Sequence, residues 1–116
     1  MKEIGYKDNL IIVDFPQPNA VITSPLTFSG QARGNWFFEA SFPVVLVNWD
    51  GLIIAQGLAQ ADGDWMTEDF VPFSGTLEFT MPDYGNSGAI IFQKDNPSGL
   101  PEFDNALEIP ILFKYK

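Results

Sequence analysis

The feature that most constrains this chain is a pair of apolar, β-prone runs joined by Asp50-Gly51. The runs cover residues 42–49 and 52–60, and they read FPVVLVNW and LIIAQGLAQ. A two-residue Asp-Gly loop between such runs predicts a β-hairpin with a type I′ turn, because both central residues of that turn need a positive φ. The sequence therefore predicts a central hairpin in an all-β domain.

The predicted turn also determines which side chains of the hairpin share a face. In that register Val47 pairs with Ile54, and Trp49 pairs with Leu52. We predict that the buried row consists of Phe42, Val44, Leu46, Ile53 and Ala55. The opposite row is more apolar than a solvated surface, which leaves two interpretations. Either a neighbouring segment covers it, or it is an exposed, partner-binding patch made of Val45, Val47, Trp49, Leu52 and Ile54.

The rest of the chain repeats a short, alternating apolar pattern, and no stretch has the 3.6-residue period of a helix. Residues 26–33, 73–81 and 106–115 alternate in this way, and Gly or Pro recurs roughly every ten residues between them. Pro110 has no backbone N–H, so we predict an edge or a bulge at that point of the last strand. About seven strands in a single domain, residues 1–116, predict an immunoglobulin-like antiparallel β-sandwich without a disulfide.

The composition excludes several function classes. The chain has no Cys and no His, which excludes thiolate and imidazole catalysis and any Cys or His metal site. Its six Lys and Arg are scattered among 15 Asp and Glu, for a net charge of −9, whereas nucleic-acid binding requires a basic patch. No apolar run reaches the roughly 18 residues of a membrane-spanning helix. We therefore expect no nucleic-acid partner, no cofactor and no membrane span in this chain, and a cationic partner remains open.

Pairs of acidic residues are the first candidates for acid–base chemistry. They are Glu68-Asp69, the two residues that flank Gly63, and Glu102 with Asp104. Two carboxylates catalyse hydrolysis when both face a cleft and their pKa values are separated. Nothing in the sequence indicates a cleft, and turn chemistry accounts for Asp62-Gly63-Asp64. We therefore expect that the protein is not an enzyme.

The segment KDNPSGLPEFDN, residues 94–105, concentrates oxygen-bearing side chains. Calcium binds clusters of such oxygens, which makes Asp95, Asn96, Glu102 and Asp104 weak candidates for a metal site. Their spacing matches no EF-hand loop. The competing interpretation is a long loop whose Asn and Asp side chains bond to its own backbone. Residues 95–104 are also a candidate recognition loop.

The aromatic segment around Trp36 carries two charges. Arg33 and Glu39 flank it, and a charge in such surroundings needs a partner, so we predict that they pair or that Glu39 meets Lys94. Trp36, Phe37 and Trp65 are candidates for a sugar-stacking platform. Packing in the core is the competing interpretation for these rings.

Three long segments together resemble one known family. They read ARGNWFFEASFPV, GDWMTEDFVPF and KDNPSGLPEFDN, and they are accompanied by SPLTFSGQA before them and IPILF near the end. With these motifs, residues 20–113 are similar to the Gmad2 domain, the immunoglobulin-like domain of bacterial spore germination and related bacterial envelope proteins.

The resemblance implies an immunoglobulin-like fold and an extracytoplasmic setting in the bacterial envelope, with no catalytic residues to carry over. On that basis we expect a non-enzymatic binding or structural module, part of a longer exported protein, whose partner is a protein or a cell-wall component. Two alternatives stay open. One is a calcium-stabilised adhesion module, and the other is a carbohydrate-binding module.

Overall fold

The computed structural model describes residues 9–82 and 85–114, and in these residues the chain is all-β. Two 3₁₀ turns, Gly34–Trp36 and Pro101–Phe103, are the helical elements of the described part. The eight strands are β1 (Ile11–Phe15), β2 (Ala20–Ile22), β3 (Leu26–Arg33), β4 (Ser41–Asn48), β5 (Ile53–Ala61), β6 (Phe70–Leu77), β7 (Ser87–Gln93) and β8 (Ala106–Phe113).

The strands form one curled sheet in the order β1-β3-β6-β5-β4-β7-β8-β2. Neighbours pair antiparallel, except that β2 runs parallel to β8. Phe28 in β3 and Phe92 in β7 lie four strands apart in that order, which corresponds to about 19 Å in a flat sheet. Their ring centroids are only 5.7 Å apart. The sheet therefore curls until its two halves pack face to face, with β5 joining the halves.

The space between the halves is filled by aromatic and branched side chains. Phe28, Phe42, Phe73 and Phe92 are all fully buried and touch one another edge-on or tilted. The alternation predicted for β3 and β8 is confirmed, because the buried side chains there are Leu26, Phe28 and Ala32, and Leu107, Ile109, Ile111 and Phe113. Close packing of these rings stabilises the fold without a disulfide.

The hairpin of β4 and β5 exists, but its predicted type I′ turn is wrong. Gly51 has a positive φ of 82°, whereas Asp50 is not among the residues with positive φ. The Asn48 side chain accounts for the difference. Its Oδ1 accepts hydrogen bonds from the Asp50 and Leu52 N–H groups, at 2.9 and 3.0 Å, and this widens the loop to residues 49–52.

The register of the hairpin is correct for most of its length and wrong near the turn. Phe42 pairs with Ala59 and Leu46 pairs with Ala55, as predicted, but Val47 pairs with Ile53 instead of Ile54. A β-bulge next to Val47 inserts one residue in β5, and a one-residue slip exchanges the two faces of the strand. Ile53, which we placed in the core, is therefore 58% exposed.

One predicted strand boundary needs correction. The strand predicted over residues 73–81 begins at Phe70 and ends at Leu77. Pro110 lies at no register shift, because β8 pairs in continuous register with β7, but β2 pairs only with residues 111–113 of β8, so among the described residues β8 is a sheet edge up to Pro110, as predicted. The β2 pairing starts at Ile111, and the Pro110 carbonyl accepts a hydrogen bond from Asn19 just before it.

The strand directions sort the connecting loops into two groups at opposite ends of the sheet. The β3–β4, β5–β6 and β7–β8 loops lie at one end, which we call the motif end because it carries the three segments that resemble a known family. The β4–β5 turn and the β6–β7 connection lie at the other end, which we call the hairpin end. Each end presents a candidate functional surface.

Candidate functional site

The hairpin end exposes large apolar side chains next to one another along the chain. Trp49 is 53% exposed, Leu52 61% and Ile53 58%. Of the predicted patch, the structure leaves Trp49 and Leu52 on the surface, half-buries Val47 and Ile54, and buries Val45. We refer to Trp49, Leu52 and Ile53 as the tip surface. The wider binding role predicted for the five-residue patch remains a prediction.

A hollow of about 490 Å3 lies beside the tip surface. It opens between the β4–β5 turn and the start of the β6–β7 connection, and its apolar lining is Trp49, Leu52, Ile54, Met81 and Pro82. Asp50 contributes a carboxylate to its wall. Ile54 and Met81 also pack against the main core, so the floor of the hollow is continuous with rigid structure.

At the motif end, three loops are tied together by backbone contacts. The Gly34 N–H donates to the Asp69 carbonyl at 3.2 Å, and the Asp95 N–H donates to the Trp36 carbonyl at 3.0 Å. Phe38 packs edge-on against Trp65, with ring centroids 6.4 Å apart. The three segments are therefore neighbours in space, which their sequence separation did not reveal.

The charges at the motif end are arranged differently from the prediction. Arg33 does not pair with Glu39: its Nε donates to the Asn9 carbonyl at 3.0 Å, and its guanidinium lies 4.0 Å from the centre of the Phe70 ring. Stacking on an aromatic face suits the planar guanidinium, and it satisfies the cation without a carboxylate. Glu39 is exposed on a turn with a φ of 53°, and within the described residues it pairs with neither cation.

The loop of residues 94–105 is organised by its own side chains. The Asn96 Nδ2 donates to the Leu100 carbonyl at 2.8 Å and to the Asp104 carboxylate at 2.6 Å, and the Ser98 hydroxyl donates to the Asn96 Oδ1 at 2.6 Å. In the described residues, no three acidic side chains come together as a metal site, Asp95, Glu102 and Asp104 included. The hydrogen bonds thus account for this loop's composition.

We expect Asn96→Ala to loosen this loop and to lower the free energy of unfolding by about 1–2 kcal/mol, because Asn96 is the centre of three hydrogen bonds, one of them to a charged group. Amide hydrogen exchange in residues 95–104 should rise well above that in the strands. The matched control is Gln60→Ala, an exposed amide of β5, which should leave exchange in the loop unchanged. Unaltered exchange in Asn96→Ala would contradict the assignment.

We also expect millimolar calcium, or a chelator, to leave the melting temperature unchanged. A ligand that binds only the native state raises stability by mass action, so a site in this loop would raise the melting temperature with calcium concentration. Differential scanning calorimetry with and without calcium measures this directly. A rise that disappears in Asp104→Asn would contradict the expectation and establish the calcium alternative.

The proposed sugar platform of Trp36, Phe37 and Trp65 does not form. Trp36 and Phe37 are buried, at 1% and 3% exposure, and only Trp65 is half-exposed. The Trp36 ring packs edge-on against Phe42, and its buried Nε1 has no hydrogen-bond partner in the described part of the chain. These two rings close the core at the motif end, so two members of the platform are unavailable to a sugar.

The comparison with protein-family models decides the family. The model of the Gmad2 family, described as the immunoglobulin-like domain of bacterial spore germination, matches residues 10–99. This chain belongs to the Gmad2 family. No curated protein and no solved structure shows a significant match to it. The all-β sheet without cysteine agrees with membership of an immunoglobulin-like family, and the resemblance drawn from the sequence is confirmed.

The structure also indicates what the three segments at the motif end do in this Gmad2 domain. The segments around Gly34, Trp65 and Asp95 contact one another at the motif end, so their residues have a structural role. The helices of the described part are too short to cross a membrane. At the opposite end the Trp49 ring of the tip surface packs against Gly85, and the tip surface also includes the exposed Ile53, which sequence reasoning missed. Asn48, which precedes the turn, could have predicted this exposure, because an Asn side chain favours a wider turn by bonding to nearby backbone.

Proposed function

We propose that this Gmad2 domain is a non-enzymatic, extracytoplasmic binding module of a bacterial envelope or spore-germination protein. The observation that carries the proposal is the tip surface. Its three large apolar side chains lie close together in the sequence and are each more than half exposed, and the hollow beside them is lined by Ile54 and Met81, which pack against the core. Exposed apolar patches of this kind mark interaction sites on soluble domains.

The chemistry of the side chains supports a role in binding rather than catalysis. Without His or Cys, the chain has neither an imidazole base nor a thiolate nucleophile, and carboxylates are its most numerous acid–base groups. The β3–β4, β5–β6 and β7–β8 loops together hold eight of the chain's 15 acidic residues, yet the described ones do not converge into a metal-binding group. Among the described residues that line the hollow at the hairpin end, five are apolar and Asp50 is the one with a carboxylate. A mixed lining of this kind suits recognition of a partner.

The extracytoplasmic placement rests on the family, which is described for bacterial spore germination. The closely packed core supports a structural role as well. A domain whose loops are held in place can present the tip surface in a constant orientation. The partner we propose is a protein or a cell-wall component.

The proposal is tested by affinity capture from detergent-solubilised native envelope with the wild-type domain and two variants. Trp49→Glu places a charge on the tip surface, and Met66→Glu places the same charge on a side chain that is 76% exposed at the motif end. We expect one set of captured components with the wild type and Met66→Glu, and its loss with Trp49→Glu. Circular dichroism establishes that all three proteins are folded. Equal capture by all three would contradict the tip surface as the binding site.

A further inference from the structure

The β5 strand has an open backbone edge beside the tip surface. It pairs with β4 along its length, but it pairs with β6 only at Gln60 and Ala61. The two strands stay close as far as Gly57, where a Cβ atom would lie 3.9 Å from the Thr76 carbonyl oxygen. Beyond that point, residues 53–56 have no strand on their second side among the described residues. Unpaired N–H and C=O groups on such an edge are a template for another extended chain.

From this edge we infer that residues 53–56 of β5 take up an extended, basic segment of a partner protein as an additional strand. The inference deepens the proposed function, on which it rests, by naming the partner's chemistry and the mode of binding. In this mode, backbone hydrogen bonds to the edge provide affinity, and side-chain pockets beside the edge provide selectivity.

The two terminal strands of the sheet are protected against such pairing, and the β5 edge is not. The β1 edge carries an exposed Asp14 and is followed by Pro16, and β2 is only three residues long. Charges, prolines and short length are the usual means of blocking an edge. In contrast, β5 reads IIAQGLAQA and has no charged residue and no proline. An unprotected edge with Ile53 and Leu58 at least half exposed is one that binding can use.

The hollow provides the side-chain pocket that strand addition requires. It lies along the same stretch of β5, between Leu52 and Ile54 on one side and Thr80 and Met81 on the other. Successive side chains of an added strand point to opposite faces, so every second residue would enter the hollow. Its apolar lining favours an aliphatic or aromatic side chain at those positions.

Charge selects a basic segment of a partner over a second copy of this chain. Asp50 lines the hollow and Glu78 is exposed at the start of the neighbouring β6–β7 connection. Of the three described cations, Arg33 and Lys94 lie at the motif end, and Lys114 follows β8, three strands away from β5. Two copies of a chain with net charge −9 repel each other, whereas a partner with Lys or Arg flanking its apolar residues is attracted.

The test is selection from a phage-displayed library of random nonapeptides on the full chain. We expect enriched peptides that alternate apolar residues with Lys or Arg and contain no proline at their centre. Ile53→Lys, which introduces a charge on the open edge, should weaken binding of an enriched peptide at least tenfold by fluorescence anisotropy. Met66→Lys, which adds the same charge at the motif end, should leave the affinity within twofold of wild type.

Backbone pairing has a readout of its own. On binding the peptide, amide exchange should slow at least tenfold at the alternate residues of 53–56 whose N–H groups point away from β4, because those groups become hydrogen bonded. Acidic or proline-rich selected peptides, binding that Ile53→Lys does not affect, or no enrichment would each overturn the inference. Sedimentation that shows a dimer abolished by Ile53→Lys would overturn it in favour of a second copy.

The outcome is separable from that of the proposed function. If Trp49→Glu abolishes capture from the envelope but peptide selection fails, the binding-module proposal is supported. Only the inference of strand addition is then contradicted. The opposite result is also possible: peptides are selected, but the wild type, Trp49→Glu and Met66→Glu all capture the same envelope components. That result would contradict an envelope partner at the tip surface and would leave the β5 edge as a peptide-binding site.

Discussion

Phe73→Ala is expected to lower the free energy of unfolding by about 4 kcal/mol, in the middle of the range for removing a buried phenylalanine ring. Phe73 is 1% exposed, and its ring touches Phe42, Phe92 and Phe28, with centroids 5.0, 5.9 and 6.5 Å away. Phe73 therefore brings β6 into ring contact with β3 and with the β4–β7 half of the sheet. Removing it leaves a cavity that rigid neighbouring strands cannot close.

Chemical denaturation followed by circular dichroism measures this loss. The matched control is Phe38→Ala, because Phe38 is 41% exposed and its only ring contact among the described residues is Trp65. We expect the control to lose about 1 kcal/mol or less, because surface substitutions have small effects and Phe38 loses its ring contact with Trp65. A loss of similar size in both variants would mean that the two halves of the sheet do not depend on Phe73 for their packing.

Gly34→Ala is the second change with a large expected effect, of about 3 kcal/mol or more. A Cβ atom at position 34 would lie 1.8 Å from the Thr67 carbonyl oxygen and 2.4 Å from that of Trp65. Both are backbone atoms of the β5–β6 loop, so no side-chain rotation can relieve the overlap. The loop would have to move away, and overpacking of this kind costs about 1–3 kcal/mol even where side chains can adjust.

Gly57→Ala is the matched control for this change. A Cβ atom there meets the Leu77 Cδ2 at 2.9 Å, and that atom is the mobile end of a side chain. We expect the control to change the melting temperature by no more than a few degrees, which corresponds to about 1 kcal/mol in a domain of this size. In Gly34→Ala the melting temperature should fall several times further, and the Trp65 fluorescence should shift as its loop moves. Equal small shifts in both variants would show that the loops at the motif end are not tightly packed.

Much of the fold follows from local sequence patterns. The alternation of β3 and β8, the hairpin of β4 and β5 and the buried positions of Phe42, Val44 and Leu46 were all predicted. These features depend on a period of two residues, which the chain expresses within each strand. Family membership was also predicted, because the motifs are long enough to be specific.

The details that sequence reasoning missed depend on single contacts or on distant parts of the chain. One bulge beside Val47 exchanges the places of Ile53 and Ile54, and its cause lies in the turn that Asn48 organises. Nothing local to Trp36 tells whether its ring is buried or exposed, because the residues that cover it come from other strands. The partner of Arg33 proved to be an aromatic ring and backbone, and periodicity does not predict either contact.

The open edge of β5 could not be predicted for the same reason. Its sequence shows that it carries no charge or proline, which is visible before folding. Only the strand pairing shows that β6 is paired with it at Gln60 and Ala61 and not along residues 53–56. The candidate site therefore combines a property of the strand with a property of its neighbours.

Photo-crosslinking in living cells tests the central claim, that the hairpin end binds a partner in the envelope. A benzophenone amino acid is placed at position 52 in one protein and at position 66 in another, because Leu52 and Met66 are both exposed and lie at opposite ends of the sheet. Illumination should give a discrete crosslinked species from position 52 and none from position 66. A crosslink from position 66 alone would place the partner at the motif end and contradict the account.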